Sequence, residues 1–173
     1  MQRTIALMLA AAAVPALVLP AAAAPAVAQE DRVATFTFHA EAGAYPVDGW
    51  GASYSTPQDD VRVWENAEHA LRFDEDSPSS NAEYVAVTLA APGNAPLRVG
   101  TYTDVRIRPT ATNPGLLVVS RGLACEPVHG SFTITGIERD PVTGRLTDVD
   151  VEVEQRCGAP DAPPFTARAT LSS

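Results

Sequence analysis

The sequence predicts an all-β domain built as a two-sheet antiparallel β-sandwich. Apolar and polar residues alternate along most of the chain after Gln29, as they do in strands that bury one face. All 11 glycines and 12 of the 15 prolines lie after residue 28, where they separate short segments as turn residues do. Apolar spacing of three and four does not persist beyond about ten residues, so amphipathic helices are not expected. We expect jelly-roll or immunoglobulin-like connections, with a closed barrel as the alternative.

The first half of the predicted domain contains five short strands. One face of the first strand collects alternate apolar residues: Ala34, Phe36, Phe38 and Ala40. The next two strands, residues 61–64 and 71–73, are expected to pair across a charged turn. Two more strands, residues 84–90 and 102–108, flank a breaker rich in proline and glycine at residues 92–96.

The C-terminal third predicts a strand, a hairpin and a final strand. The apolar run at residues 116–119 is typical of a strand buried on both faces. Segments 131–137 and 146–155 flank a turn at residues 140–144, which has proline and glycine in turn-favouring places. A symmetric register pairs Phe132 with Val153 and Ile134 with Val151. Residues 165–171 form the last strand.

The first 28 residues have the features of a signal peptide. Arg3 supplies a positive charge, Ile5 to Leu19 are apolar, and Ala26-Val27-Ala28 before Gln29 is a small-x-small cleavage pattern. A retained membrane anchor is the alternative, but three prolines interrupt a stretch that is already short for a membrane span: Pro15, Pro20 and Pro25. We expect cleavage of residues 1–28 and secretion of residues 29–173 as a single extracellular domain.

The charge of the mature chain excludes some classes of partner. Removing residues 1–28 leaves 173 − 28 = 145 residues, with no lysine and a formal charge of 11 − 21 = −10. Such a chain lacks the positively charged surface with which proteins bind nucleic acids and anionic membranes. We therefore expect neither a nucleic-acid partner nor membrane association of the mature form.

The two cysteines, Cys125 and Cys157, are expected to form a disulfide bond. An exported protein meets oxidising conditions, and the predicted hairpin brings both cysteines to one end of a sheet. Closing this loop stabilises the fold by about 3 to 4 kcal/mol on the chain-entropy model. A redox or metal role is the alternative, but neither cysteine is accompanied by another cysteine or by a nearby histidine at the spacing of metal ligands.

The sequence shows no recognisable catalytic or metal-binding motif. His39, His69 and His129 belong to no nucleophile or zinc motif, and we expect them in turns or facing solvent. The protein is therefore expected not to be an enzyme and to need no cofactor.

Acidic residues form three groups. Asp148, Asp150, Glu152 and Glu154 alternate with valines on one strand, where carboxylates about 7 Å apart suit a soluble outer face better than a shared calcium ion. A surface for a cation or a basic partner is the alternative. Two groups, Asp59-Asp60 and Asp74-Glu75-Asp76, are expected in loops, where calcium binding is geometrically easier and remains the alternative, but neither has the EF-hand spacing. No metal site is predicted.

The segment 44–54 is the candidate ligand site. Tyr45, Trp50 and Tyr54 lie within ten residues, separated by glycines, a proline and Asp48. Aromatic rings can stack on a sugar while Asp48 accepts a hydroxyl group. The alternative is that Trp50 and Tyr54 cap the core between the sheets, and full burial of both would argue against a sugar site.

Five short segments form a further pattern: Pro96–Tyr102 with Arg106, Pro114–Leu116, Arg121–Cys125, Gly130–Ile134 and Glu154–Gly158. Over residues 32–173 the chain resembles secreted, mostly uncharacterised β-sandwich domains of actinobacterial proteins. That group often has F-x-Q-H-C-E-G where this chain has Val153-Glu154-Gln155-Arg156-Cys157-Gly158, and the closing segment also differs. The resemblance implies a two-sheet domain with paired cysteines, and it transfers no catalytic residue and no ligand.

These observations favour a secreted, non-catalytic binding or accessory module that acts on extracellular carbohydrate or a protein surface. A secreted hydrolase is one alternative, and it needs a histidine beside both a serine hydroxyl and a carboxylate. A hydrolase inhibitor is a second alternative, for which the segment around Pro127 is the candidate loop. A structural envelope protein is the third.

Overall fold

The computed structural model describes residues 32–75 and 84–173, so the predicted signal peptide lies outside the described residues. These residues form eleven strands and one short 3-10 helix, Pro92–Asn94. The strands are β1 (Val33–Ala40), β2 (Gly51–Ser55), β3 (Val61–Glu65), β4 (Leu71–Glu75), β5 (Val85–Ala90), β6 (Gly100–Thr103), β7 (Gly115–Ser120), β8 (Leu123–Ala124), β9 (Val128–Arg139), β10 (Leu146–Cys157) and β11 (Pro164–Ser172). Within the described ranges, no helix is long and apolar enough to span a membrane.

The strands form two packed antiparallel sheets. The six-stranded sheet has the order β2-β1-β11-β10-β9-β6, and the five-stranded sheet has the order β3-β4-β5-β7-β8. Each sheet contains a meander of three consecutive strands, and the first strand pairs with the last. The predicted β-sandwich is therefore confirmed, and the strands do not close into a barrel.

The core lies between the sheets, where the alternating apolar residues meet. Phe36 of β1 contacts Phe73 of β4 edge to face, with ring centroids 5.3 Å apart, so the two sheets interlock through aromatic rings. Within the six-stranded sheet, the rings of Phe38 and Phe165 stack with their centroids 6.0 Å apart. The predicted inward face of β1 is confirmed, because all four of its apolar residues are buried.

The β9–β10 hairpin has the predicted register. Phe132 lies opposite Val153, and Ile134 lies opposite Val151. The turn is closed by Asp140, whose backbone carbonyl accepts the N–H of Gly144 at 2.8 Å. Gly144 has a φ of 71°, the left-handed conformation that favours glycine.

Some predicted elements differ from the observed ones. The strand expected at residues 102–108 ends at Thr103, because Asp104 adopts a left-handed φ of 54° and turns the chain. The run 116–119 is buried on one face and half-buried on the other. Asp74 and Glu75 are buried residues of β4 rather than loop residues, and Asp76 lies outside the described residues.

Two bonds tie the sheets together at opposite ends of the hairpin. The disulfide joins Cys125, which follows β8 of the five-stranded sheet, to Cys157 at the end of β10. At the other end, Arg139 of β9 makes two hydrogen bonds to Glu65 of β3, at 2.6 and 2.9 Å. The predicted disulfide is confirmed, and it links the two sheets.

Removing the disulfide is expected to weaken the fold without changing its topology. The double substitution Cys125→Ala and Cys157→Ala releases a loop with a sequence separation of 32. We expect the free energy of unfolding, measured in urea, to fall by about 3 to 4 kcal/mol. A reducing agent should bring the parent protein to the same value, and an unchanged denaturation midpoint in the variant would contradict the assignment.

Breaking the Arg139–Glu65 pair is expected to cost more than breaking an exposed pair. Glu65 is only 9% exposed, so Arg139→Gln leaves a nearly buried carboxylate without its guanidinium. We expect a loss of about 2 kcal/mol in urea unfolding. The additional substitution Glu65→Gln should recover part of that loss. In contrast, Arg168→Gln in the exposed pair with Asp150 should cost less than about 1 kcal/mol.

Asp140 is expected to titrate below the usual aspartate range. Hydrogen bonds from the backbone N–H and the hydroxyl of Thr143, together with the N–H of Val142, lower the pKa of Asp140. Because the folded state favours the charged carboxylate, its stabilising effect is complete above the ordinary pKa and is lost as the pH falls through the lowered one. Carboxyl NMR titration checks the pKa, and Asp140→Asn should remove this part of the acid sensitivity.

Candidate functional site

The predicted aromatic segment divides into a turn and a strand. Tyr45 lies in the turn that follows β1, and the residue is 40% exposed. Asp48 lies in the same turn with a left-handed φ of 56°, and its Oδ1 accepts the N–H of Gly43 at 2.7 Å. The carboxylate that was expected to bind a ligand therefore also closes the turn.

Trp50 and Tyr54 pack toward the core. Tyr54 lies on the inward-facing side of β2, since it pairs with the buried Phe36, and Trp50 directly precedes the strand. The rings of Trp50 and Tyr54 lie 4.7 and 6.4 Å from the ring of Phe38. Both side chains are half-buried, which supports the core-capping alternative for these two rings. The alternation of residues 50, 52 and 54 is the sequence signal that could have revealed this strand.

The histidines lie apart from one another. His39 is on the outer face of β1, and His129 is half-buried in β9. Nδ1 of His69 lies 3.6 Å from Oε1 of Glu65. Within residues 32–75 and 84–173, no hydrogen bond joins a histidine to a serine hydroxyl.

The segment around Pro127 is held against the six-stranded sheet. The carbonyl of Pro127 accepts the N–H of Gly158 at 2.9 Å, and the disulfide lies two residues before it. The segment leads directly into β9 at Val128. It is a short connection in which Glu126 and Pro127 are exposed.

A concave surface lies on the outer face of the six-stranded sheet, and we call it the outer trough. Its cavity has a volume of about 420 Å³. Strand alternation places eight polar side chains toward this cavity: Thr37, His39, Ser131, Thr133, Glu152, Glu154, Thr166 and Arg168. Four neighbouring strands supply them, so the trough depends on the pairing of β1, β11, β10 and β9 rather than on one loop.

The trough side chains form two rows across the strands. One row joins Ser131, Glu154, Thr166 and His39, which are neighbours in register. The second row joins Thr133, Glu152, Arg168 and Thr37 in the same way. Hydroxyl groups extend the second row, because Thr133 bonds to Thr101 at 3.0 Å and Thr37 bonds to Ser53 at 2.7 Å.

The carboxylates of the trough differ in how well they are neutralised. Arg168 makes two hydrogen bonds to Asp150, at 3.1 and 2.8 Å, and these bonds raise the pKa of Arg168. Arg156 donates to Glu154 at 2.8 Å. Glu152 has only a distant contact, 3.8 Å, with the same Arg168. The predicted acidic row therefore faces outward as expected, and of the two carboxylates that line the trough, Glu152 has the more distant arginine.

A second polar cluster lies on the outer face of the five-stranded sheet. Asp74 is 1% exposed and lies within 3.4 Å of both Arg62 and Arg72. Tyr84 donates to Asp74 at 3.2 Å, and burial together with the charge of Asp74 raises the pKa of Tyr84. Both guanidinium groups also lie over the ring of Trp64. Asp74 thus joins side chains of β3 and β4 to Tyr84, beside β5.

The acidic groups do not form a metal site in the described part of the chain. No group of three or more histidine, cysteine, aspartate or glutamate residues is arranged to hold a metal ion there. Asp59 instead uses its Oδ2 to accept the N–H of Ser55 at 2.8 Å. This bond gives Asp59 a role in the turn after β2.

Comparisons with protein-family models, with curated proteins and with solved structures find no match for this chain.

Proposed function

We propose that this chain is a secreted, non-catalytic binding module for extracellular carbohydrate and that the outer trough is its binding surface. The observation that carries this proposal is the trough itself, a cavity of about 420 Å³ lined by polar side chains from four strands. Ligand pockets usually measure roughly 300 to 1,000 Å³. The trough is therefore large enough to receive one or two sugar units.

The chemistry of the trough suits a ligand rich in hydroxyl groups. Glu152 and Glu154 accept hydrogen bonds, Arg168 donates them, and the serine and threonine hydroxyls do both. A sugar hydroxyl also donates and accepts, so each group has a complementary partner. Phe38 and Phe132 belong to the buried core, and the binding we propose depends on hydrogen bonds rather than on ring stacking.

The construction of the domain also supports a binding role. The trough lies on paired strands whose sheet is tied to the other by a disulfide and an ion pair. A preorganised surface loses little conformational entropy when it binds. The disulfide and the predicted signal peptide both fit an extracellular location. The resemblance to secreted actinobacterial domains points to the same compartment.

The turn after β1 offers a second surface for the same function. It begins two residues after His39, at one end of the trough, and it presents Tyr45 and Asp48. A ring in this place can stack on a sugar unit bound beyond the trough. Trp50 and Tyr54 then support the turn from the core side.

Removing trough hydroxyls is expected to weaken binding without changing charge or strand propensity. The double substitution Thr37→Val and Thr166→Val deletes two hydrogen-bonding groups, each worth about 1 kcal/mol. We expect the Kd for an oligosaccharide selected on a glycan array to rise about tenfold or more in isothermal titration calorimetry.

Two further variants separate the possible surfaces. Thr88→Val makes one such substitution on the other sheet and should leave the Kd unchanged. Tyr45→Ala tests the turn. If Tyr45→Ala abolishes binding while the trough variant binds normally, the turn is the binding surface. If the unmodified protein binds no sugar, the proposed function is wrong.

A further inference from the structure

We infer that the sugar recognised by the outer trough carries a protonated amine, and that Glu152 provides its counter-charge. This inference rests on the proposed function, because it names the class of sugar that the trough binds. It follows from the distribution of charge among the trough side chains and from the place of Glu152 among them.

Of the two carboxylates that line the trough, Glu152 is the one without a close ion pair to an arginine. Arg168 is engaged by both oxygens of Asp150, and Arg156 is engaged by Glu154 and by the carbonyl of Ala162. Glu152 remains with a single contact at 3.8 Å, and its side chain is 59% exposed. A cationic group that enters the trough therefore meets an accessible carboxylate, and an anionic group meets repulsion.

Glu152 occupies the middle of the second row of trough side chains. It lies between Thr133 of β9 and Arg168 of β11, with Thr37 one strand further on. Neighbouring strands are about 4.8 Å apart, so hydroxyl groups lie about 5 Å to one side of the carboxylate and about 10 Å to the other. A sugar with one amine and several hydroxyl groups matches this arrangement.

An ammonium group suits this site better than a metal ion. Carboxylates two residues apart on β10 are about 7 Å from each other, too far to share one calcium ion. An ammonium group has three N–H donors, which can be shared between one carboxylate and nearby hydroxyls. Glu152 and the hydroxyl of Thr133 are neighbours in register and supply such acceptors.

Net charge alone does not account for such a preference. The predicted mature chain has a formal charge of 11 − 21 = −10, which draws any cation toward its surface. At physiological ionic strength, however, charges beyond about 8 Å are largely screened. Selectivity between an amine and a hydroxyl at one sugar position must therefore come from a carboxylate close to that position.

Three hexasaccharides with the same β-1,4 linkage test the inference, because they differ only in the group at carbon 2. Cellohexaose has a hydroxyl, chitohexaose has an acetamide, and the glucosamine hexamer has an amine. We expect calorimetry at about pH 5.5, where the sugar amines are protonated, to give a Kd for the glucosamine hexamer at least about tenfold lower than for cellohexaose.

Variants of two glutamates identify the source of the preference. Glu152→Gln keeps the size of the side chain and should make the Kd values for the amine and hydroxyl hexamers equal. Glu68→Gln, an exposed residue in the turn between β3 and β4, removes the same charge elsewhere and should leave the preference intact. Thermal unfolding of both variants should match that of the parent, since both side chains are exposed.

The possible results separate the inference from the proposed function. Equal binding of all three hexasaccharides overturns the amine preference but supports carbohydrate binding. A preference that persists in Glu152→Gln, or that is lost equally in Glu68→Gln, overturns the role of Glu152. If these sugars and every sugar on the array fail to bind, both the inference and the proposed function are wrong.

Discussion

The register of the β9–β10 hairpin is the constraint on which the rest of the molecule depends. Strand side chains alternate between faces, so this register places Val151 and Val153 in the core and Glu152 and Glu154 outside. A slip of one residue would bury carboxylates and expose valines, which is too costly to be populated. The buried face of one strand therefore fixes the polar surface on its other side.

The same hairpin holds the two sheets together. It is roughly 40 Å long, and each of its ends carries a bond to the other sheet. The disulfide at Cys157 constrains the unfolded chain, whereas the Arg139–Glu65 pair depends on geometry in the folded state. Because these bonds act at opposite ends, the sheets are held against both sliding and opening. The outer trough lies on the sheet that carries this hairpin, so its curvature is held by the same bonds.

Features set by nearby residues could be predicted from the sequence, and features set by distant pairing could not. The hairpin and the disulfide followed from a turn signature, strand alternation and the presence of only two cysteines. β2 was not predicted because Tyr54 and the preceding Trp50 also suit an exposed loop. The predicted strand at β6 extended too far because Asp104 adopts a left-handed backbone angle. The outer trough needs β1 beside β11, a pairing of the two ends of the described chain that no local pattern reveals. The acidic row could be placed on an outer face, but its arginine and threonine neighbours could not.

The hydroxyl pairs of the six-stranded sheet have a consequence for how its outer face meets water or a ligand. In the pairs Thr37–Ser53 and Thr101–Thr133, either oxygen can be the donor, so each pair has two proton arrangements. A carboxylate such as that of Glu152 is always an acceptor when ionised, whereas these pairs can reverse their polarity by rotating two hydroxyl groups. The face therefore combines fixed and reversible polarity. In the carbohydrate binding that we propose, the fixed groups would discriminate between ligands, and the reversible pairs would let the same surface accommodate hydroxyls of either orientation.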